Sequence, residues 1–176
     1  MTMFQVYCGV SLDGYIAGVN DDLGWLENPD PAKQNDPGIV SFSDFMQQTG
    51  SMLMGRRTFD VVTGFGGPWP YGETPILVAT SRPVSSAPAS VSTASGDIRE
   101  LCREAARLAA GRNVYVDGGA VISQALDAGC IDEMILTVVP VLLGKGIPLY
   151  AGERRHRFES RYLGDLGGTM QFRLTP

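Results

Sequence analysis

Histidine and cysteine are scarce in this sequence, which contains only His156, Cys8, Cys102 and Cys130 of these two types. A single imidazole excludes a metal site built from several histidines and a Ser-His-Asp hydrolase. The cysteines are far apart and form no Cys-x-x-Cys pair, so we predict reduced packing residues and no metal site. The phosphate-binding patterns G-x-x-x-x-G-K-[ST] and G-x-G-x-x-G are absent too, which excludes a P-loop and an ordinary Rossmann fingerprint.

Basic residues and long apolar runs are also few. Lys and Arg number 14 against 19 Asp and Glu, giving a net charge of -5, so nucleic acid is not an expected partner. Arg154, Arg155 and Arg157 surround His156 and form either an anion patch or a solvated loop, and we favour the loop. No basic leader precedes an apolar segment, and the longest apolar stretch, 134–143, is too short for a bilayer. We predict a cytoplasmic protein without a membrane partner.

The residues that are abundant suit a compact α/β protein. Hydrophobic residues make up 44% of the chain, and its 22 glycines and 11 prolines stand between apolar runs, where they indicate turns. The length of 176 residues suits one domain over 1–176. Strand-like and helix-like segments alternate, which predicts a three-layer α/β/α fold with a mainly parallel sheet and a C-terminal antiparallel hairpin at 158–174.

The local patterns predict each element in turn. Ser41 with Asp44 resembles a capping box that starts a short helix ending at Gly50. The loop at 18–38 has the length of a binding loop or lid. The other predicted strands are 3–11, 51–54, 75–79, 113–117 and 133–139. The other predicted helices begin at Gly55, at Asp97 (ending near Gly111) and at Ala120 (ending at Ala128). Loops are predicted at 63–74 and 143–146.

Two predicted strand-to-helix junctions carry glycine, one at Gly55 and one at Gly118-Gly119. A helix start of this kind presents free backbone N–H groups and the positive end of the helix dipole to an anion. Such turns also occur simply because glycine lets a helix pack closely on a sheet. A phosphate ligand is favoured by three nearby arginines. Arg56 and Arg57 stand beside the Gly55 junction, and Arg82 follows a further strand.

Five segments in order resemble the dihydrofolate-reductase-like superfamily over nearly the whole chain. MGRRTF at 54–59, ATSRP at 79–83 and VYVDGGAVI at 114–122 resemble its cofactor motifs. SLDGYIAG at 11–18 and DEMILTVVPVLLGKGIPLY at 132–150 resemble, more narrowly, the reductase domain of the riboflavin-biosynthesis deaminase-reductase and its stand-alone relatives. The resemblance implies the dihydrofolate reductase-like fold, NADPH as cofactor and a homodimer.

The resemblance also implies residues that contact NADPH. An Arg-Ser pair at the adenosine 2′-phosphate would favour NADPH over NADH through charge-assisted hydrogen bonds. The implied contacts are Gly55, Arg56, Arg57 and Thr58 for the phosphates, Ser81 and Arg82 for the 2′-phosphate, and Gly118, Gly119, Ala120 and Val121 for the diphosphate, with Asp117 beside them.

The substrate site is less defined by the sequence. In dihydrofolate reductases a carboxylate on the helix before the GRRT-like motif binds the pterin, but the matching position here lies near Ser41, which disfavours dihydrofolate. Asp13 is our candidate for substrate binding and proton delivery, although Asp before Gly is equally typical of a turn. Four further residues are candidates for the substrate pocket, where an aromatic face would stack on a heterocycle: Tyr15, Ile16, Trp25 and Thr137.

The sequence therefore predicts an NADPH-dependent reductase of a small heterocyclic or ribosyl-aminopyrimidine substrate, resembling 5-amino-6-(5-phosphoribosylamino)uracil reductase. The His/Cys zinc pattern of a deaminase is absent, so we expect at most the reductase half of the bifunctional enzyme. Two alternatives stay open: a pterin or dihydrofolate reductase, and a non-catalytic NADPH-binding protein.

Overall fold

The computed structural model of the chain describes residues 1–26 and 36–176. The predicted loop at 18–38 therefore lies partly outside the described residues. The strands are β1 (Phe4–Ser11), β2 (Tyr15–Ala17), β3 (Thr49–Gly55), β4 (Ile76–Ala79), β5 (Val91–Ala94), β6 (Asn113–Asp117), β7 (Glu133–Val139), β8 (Ile147–Pro148), β9 (Glu159–Leu166) and β10 (Thr169–Thr175). The helices are α1 (Phe42–Gln48), α2 (Arg56–Gly64), α3 (Ile98–Leu108) and α4 (Gly119–Asp127), with a 3-10 turn at Val19–Asp21.

Eight strands form one sheet in the order β5-β4-β3-β6-β1-β7-β10-β9. Every pair from β5 to β7 is parallel, whereas β10 pairs antiparallel with both β7 and β9. This confirms the predicted fold class, with its mainly parallel sheet and C-terminal hairpin. Strands β2 and β8 form a separate two-stranded antiparallel sheet.

Helices cover both faces of the large sheet. Successive side chains of a strand point to opposite faces, so Leu53 packs in the core that includes α3 and α4, whereas Met52 and Met54 pack in the core that includes Phe45 of α1 and Phe59 of α2. All three β3 side chains are fully buried. The result is the predicted three-layer α/β/α arrangement.

The helices begin in two different ways. The Ser41 hydroxyl accepts a hydrogen bond from the Asp44 N–H (3.0 Å) at the start of α1, and the Asp97 carboxylate accepts one from the Arg99 N–H (2.8 Å) at the start of α3. Both caps confirm the sequence analysis. By contrast, α2 and α4 start at glycine positions, Gly55 and Gly118, with no side-chain cap.

Several predicted boundaries were wrong. Helix α1 ends at Gln48, and Gly50 lies inside β3, where a side chain would collide with the carbonyl of Ala109. Helix α2 continues to Gly64 and takes the first residues of the predicted 63–74 loop. Strands β2, β5 and β8 were not predicted, because each has two to four residues and depends on pairing with a distant strand.

The strand order changes direction beside β6. From β3 the chain adds β4 and β5 outward, and it then returns to insert β6 between β3 and β1. In open α/β sheets the carboxyl ends of the strands at such a point diverge and leave a crevice.

Candidate functional site

A cavity of about 610 Å³ opens at this crevice. Its walls come from the ends of β3 and β6, the middle of β1, the helices α2 and α4, and the β2–β8 sheet. The lining residues are Tyr7, Cys8, Gly9, Ile16, Ala17, Asp21, Leu23, Leu26, Gly55, Arg56, Arg57, Thr58, Val61, Val62, Phe65, Tyr71, Tyr115, Asp117, Gly118, Gly119, Ala120, Ile147, Pro148 and Ala151.

One part of the cavity lies between the starts of α2 and α4, and we call it the helix end. It is formed by residues 55–58 and 118–120, which the sequence analysis assigned to one ligand and which the fold brings together. Gly118 has φ 99°, and a Cβ at this position would lie 2.5 Å from Thr58 Oγ1. A Cβ on Gly119 would lie 2.5 Å from the carbonyl oxygen of Pro148. Both glycines are therefore needed for the close approach of the two helix starts and their surroundings.

Arg56 connects the helix end to the turn that follows β4. Its Nε donates to Asp60 Oδ1 (2.8 Å), and its Nη1 donates to the carbonyl oxygens of Arg82 (3.3 Å) and Pro83 (3.0 Å). Ser81 and Arg82 are exposed on this turn and are not among the lining residues of the cavity. Arg56 thus holds the backbone at Arg82, one of the two residues that the family resemblance assigns to a 2′-phosphate.

Arg57 forms an ion pair across the cavity wall. Its Nε lies 2.6 Å from Asp21 Oδ1, and both residues line the cavity. This contact with Asp21 raises the pKa of Arg57. Asp21 has φ 60°, as does its neighbour Asn20 at 59°, an uncommon conformation for residues with a side chain.

Asp117 is the last residue of β6 and lines the cavity beside Gly118. Burial raises the pKa of this carboxyl group to about 6, although the hydrogen bond from the Gly118 N–H offsets part of the effect. A carboxyl group with this pKa carries a proton in an appreciable fraction of molecules near neutral pH. Val121, by comparison, is buried and packs against Gly55 rather than lining the cavity.

The remainder of the cavity is lined mainly by aromatic and aliphatic side chains, and we call it the aromatic end. The Tyr7 hydroxyl donates to the Val40 carbonyl (3.0 Å), and the Tyr115 hydroxyl donates to the Tyr7 carbonyl (2.9 Å). Burial raises the pKa of Tyr115 well above its ordinary value, so its hydroxyl stays protonated. Leu26, Phe65 and Tyr71 contribute further large side chains to this part of the lining.

Of the predicted substrate residues, Ile16 lines the cavity. Asp13 does not. Its carboxylate accepts hydrogen bonds from the Ser11 hydroxyl (2.6 Å) and from the N–H groups of Leu143 (3.1 Å) and Gly144 (2.7 Å). The Ser11 hydrogen bond, together with those from Gly144 and Leu143, lowers the pKa of Asp13. Asp13 therefore stays ionised at neutral pH and clamps the 143–144 loop to the end of β1.

Tyr15, Trp25 and Thr137 are also not among the lining residues. The Tyr15 hydroxyl lies 3.4 Å from the Gly144 carbonyl oxygen, and Trp25 Nε1 donates to the Asp22 carbonyl (3.1 Å). Thr137 Oγ1 accepts a hydrogen bond from Gln171 Nε2 (3.3 Å). The sequence analysis missed the residues of the aromatic end, because a tyrosine in a predicted strand looks like an ordinary core residue.

The basic segment around His156 packs against the last turn of α4. His156 Nε2 lies 2.9 Å from Asp127 Oδ1, and Arg154 donates to the Asp127 carbonyl (2.8 Å). Within residues 1–26 and 36–176, no group of three or more His, Cys, Asp or Glu side chains is placed to hold a metal ion. In the same part of the chain, no helix has the length and apolar character needed to cross a membrane.

Comparison with known proteins identifies the family. The model of the RibD C-terminal domain matches residues 69–164, which is more than half of the chain. The chain therefore belongs to the RibD C-terminal domain family, and its fold is dihydrofolate reductase-like. The uncharacterized protein YwjB of Bacillus subtilis is 32% identical over 170 residues, covering 95% of this chain and 90% of YwjB.

Solved structures show the same fold. A Shewanella sp. PV-4 protein, assigned only provisionally to riboflavin biosynthesis, is 30% identical with a TM-score of 0.82, and the match covers 99% of this chain and 98% of that one. The diaminohydroxyphosphoribosylaminopyrimidine deaminase/5-amino-6-(5-phosphoribosylamino)uracil reductase of Thermotoga maritima is 15% identical with a TM-score of 0.69. That match covers 99% of this chain but 56% of the bifunctional protein, and it shows the fold alone.

Proposed function

We propose that this protein is an NADPH-dependent reductase that acts on a C=N or C=O bond of a small substrate bearing a heterocycle. The observation that carries the proposal is the contrast between its helix starts. The two helices that begin away from the cavity, α1 and α3, have side-chain caps, whereas the two that begin at it, α2 and α4, have none. Uncapped N–H groups at two facing helix starts suit the two phosphates of a dinucleotide.

The cradle between these helices fits a diphosphate. Gly118 and Gly119 leave the backbone exposed where a Cβ would meet Thr58 or Pro148. Residues 55–58 and 118–120 would hold the diphosphate through backbone N–H groups and the Thr58 hydroxyl. Reduced nicotinamide dinucleotides supply a hydride when bound.

The preference for NADPH is assigned to the turn after β4. Ser81 and Arg82 are exposed there, and Arg56 holds the backbone of Arg82 and Pro83 near the start of α2. A guanidinium and a hydroxyl group beside each other suit the 2′-phosphate that distinguishes NADPH from NADH.

Asp117, rather than Asp13, is the proton donor in this proposal. Reduction of C=N or C=O requires a proton as well as a hydride. Asp117 lines the cavity, and burial raises its pKa to about 6, so at pH 7 about a tenth of the molecules carry a proton on this carboxyl group that can be given to the substrate. The aromatic end offers the substrate space beyond the cradle, which favours an enzyme over a protein that only binds NADPH.

The test is a titration with NADPH and NADH, followed by tryptophan fluorescence, of the wild type and two glycine variants. Gly118→Ala should weaken NADPH binding about 100-fold, because its Cβ fills the cradle. The matched control is Gly111→Ala, which has a similar φ of 86° but no atom within 4 Å of its Cβ. Gly111→Ala should lose about 1–2 kcal/mol of stability through its backbone conformation alone, and Gly118→Ala should lose more because its Cβ also collides with Thr58, but only Gly118→Ala should lose affinity.

An Arg82→Ala variant tests the cofactor preference in the same assay. It should bind NADPH and NADH with nearly equal affinity. Failure of the wild type to bind either dinucleotide would refute the proposed function.

A further inference from the structure

We propose that Asp21 occupies the place of a ligand phosphate on Arg57, so that binding of the dinucleotide displaces Asp21 and releases the part of the cavity wall that carries it. The inference rests on the proposed function and adds a regulatory contact to that same site. The observations that carry it are the ion pair between the two residues, the backbone conformation at Asp21 and the hydrogen bonds around it.

The ion pair places a carboxylate where an anionic ligand is expected. Arg57 is the second residue of α2 and lies at the helix end of the cavity. Its Nε donates to Asp21 Oδ1 (2.6 Å), a contact with one carboxylate oxygen. A phosphate group accepts two hydrogen bonds from the fork of a guanidinium. A diphosphate held between α2 and α4 would therefore replace one contact of Arg57 with two.

The same ion pair is weak enough to be displaced. The Arg57 side chain is 61% exposed and that of Asp21 is 30% exposed. An ion pair in such contact with water changes an equilibrium constant by no more than about fivefold, because water screens the charges and both side chains lose freedom. If Asp21 stayed in place, its carboxylate would also repel the phosphates beside Arg57. Displacement of Asp21 removes this repulsion.

The backbone at Asp21 has a conformation that residues with a side chain disfavour. Asn20 has φ 59° and Asp21 has φ 60°, both in the left-handed region. This conformation costs free energy for residues with a Cβ, and Asn and Asp tolerate it best. The ion pair with Arg57 offsets part of this cost. Loss of the ion pair therefore favours a change of backbone conformation at these two residues.

The segment of residues 18–25, which contributes to the cavity wall, is held together by contacts within itself. The Asp22 carbonyl oxygen accepts hydrogen bonds from the Gly18 N–H (2.8 Å) and from Trp25 Nε1 (3.1 Å). Among residues 1–26 and 36–176, the hydrogen bond from Arg57 is the one that joins this segment to a helix. We therefore expect the segment to move as a unit once Arg57 releases it.

The experiment measures NADPH binding by tryptophan fluorescence in Asp21→Asn, which removes the charge and keeps a residue type that tolerates the left-handed conformation. This variant should bind NADPH about fivefold more tightly than the wild type, because Arg57 is then free for the ligand. The matched control is Glu104→Gln, which removes a carboxylate from Arg107 on the exposed surface of α3 and should change the affinity less than about twofold. Equal or weaker binding by Asp21→Asn would overturn the inference.

A second pair of variants separates displacement from simple repulsion. In an Arg57→Gln background, Asp21→Asn should change NADPH affinity less than about twofold, since there is no guanidinium left to compete for. If the gain in affinity persisted without Arg57, Asp21 would only repel the ligand, and the inference would be wrong.

Hydrogen exchange measures the release itself. Deuterium uptake of residues 18–25 should become about threefold faster when the wild type is saturated with NADPH, and it should be equally fast in Asp21→Asn without ligand. Unchanged or slower uptake in the NADPH-saturated wild type would contradict the release. Such results in a protein that binds NADPH would overturn this inference alone, whereas a wild type that binds no dinucleotide would refute the proposed function and the inference together.

Discussion

The helix end and the aromatic end of the cavity are built by different means. At the helix end the ligand-facing groups are backbone N–H groups and glycines, whose positions follow from where β3 and β6 end and α2 and α4 begin. At the aromatic end they are side chains such as Tyr7 and Phe65, which come from segments distant in sequence. The helix end therefore depends on the strand-to-helix connections of the fold, whereas the aromatic end depends on individual side chains.

This difference matters because one fold can host different functions when the side chains around a common site differ. In the proposed function, the parallel strands and their helices create the place for a dinucleotide with a few glycines. Substrate choice depends on side chains that can be exchanged without changing the sheet. Variants at the two ends should accordingly change different measured quantities.

Asp117 joins the two ends, and its replacement should have the largest effect on turnover. Asp117→Asn should lower kcat about 100-fold or more while leaving the Kd of NADPH within about threefold, because the amide cannot give up a proton. In the wild type the protonated form is active, so kcat should fall about tenfold per pH unit above the Asp117 pKa of about 6. Steady-state rates from pH 5 to 8 check both statements, and an unchanged pH profile in the variant would exclude Asp117 as the donor.

The same carboxyl group gives a prediction that needs no substrate. Its pKa is higher in the folded protein than the ordinary 3.8, so the folded state binds more protons between about pH 4 and 6. The free energy of unfolding should therefore decrease across this range as pH rises. Because water in the cavity screens the group, we expect about 1–2 kcal/mol, and urea unfolding of Asp117→Asn should lack this contribution.

Arg56 provides an intermediate effect confined to the helix end. Arg56→Gln should reduce the preference for NADPH over NADH about tenfold, because the carbonyls of Arg82 and Pro83 lose their shared donor. Arg107→Gln is the matched control, since Arg107 pairs with Glu104 on the exposed surface of α3. If Arg56 had only a structural role, the Arg56→Gln variant would be less stable, but the ratio of its dissociation constants for NADPH and NADH would not change.

The smallest effect is expected where a helix start is capped. Ser41→Ala should cost about 1 kcal/mol of stability, because the Asp44 N–H loses its acceptor. Dinucleotide affinity should not change, since α1 begins outside the cavity lining. Thermal unfolding and the fluorescence titration measure the two quantities, and a change in NADPH affinity would contradict the contrast between capped and uncapped helices.

The sequence predicted the fold well where the signals are local. Strands β6 and β7 have the predicted bounds, and Ser41 and Asp97 cap helices as expected. The two strand-to-helix junctions that form the helix end were predicted for the same reason, because Gly55 and Gly118 mark them in the sequence. Short strands such as β5 were missed because their residues extend only to pair with a neighbour.

The aromatic end could not be predicted from local patterns. Tyr7 and Tyr115 lie in strands that were predicted, but the sequence does not say which side of a strand faces a cavity. Asp13 was a reasonable candidate by its position at the end of β1, yet two of its three hydrogen bonds hold the 143–144 loop and the third comes from Ser11. Burial of Asp117 by distant residues, which raises its pKa, likewise depends on the tertiary structure.

The small β2–β8 sheet has a mechanical consequence. Ile16, Ala17, Ile147 and Pro148 belong to this ribbon and line the cavity, yet none of them pairs with the eight-stranded sheet. A ribbon of two short strands is held by far fewer hydrogen bonds than a central strand. We therefore expect this wall of the cavity to open at a lower cost in free energy than the strands that carry Gly55 and Asp117.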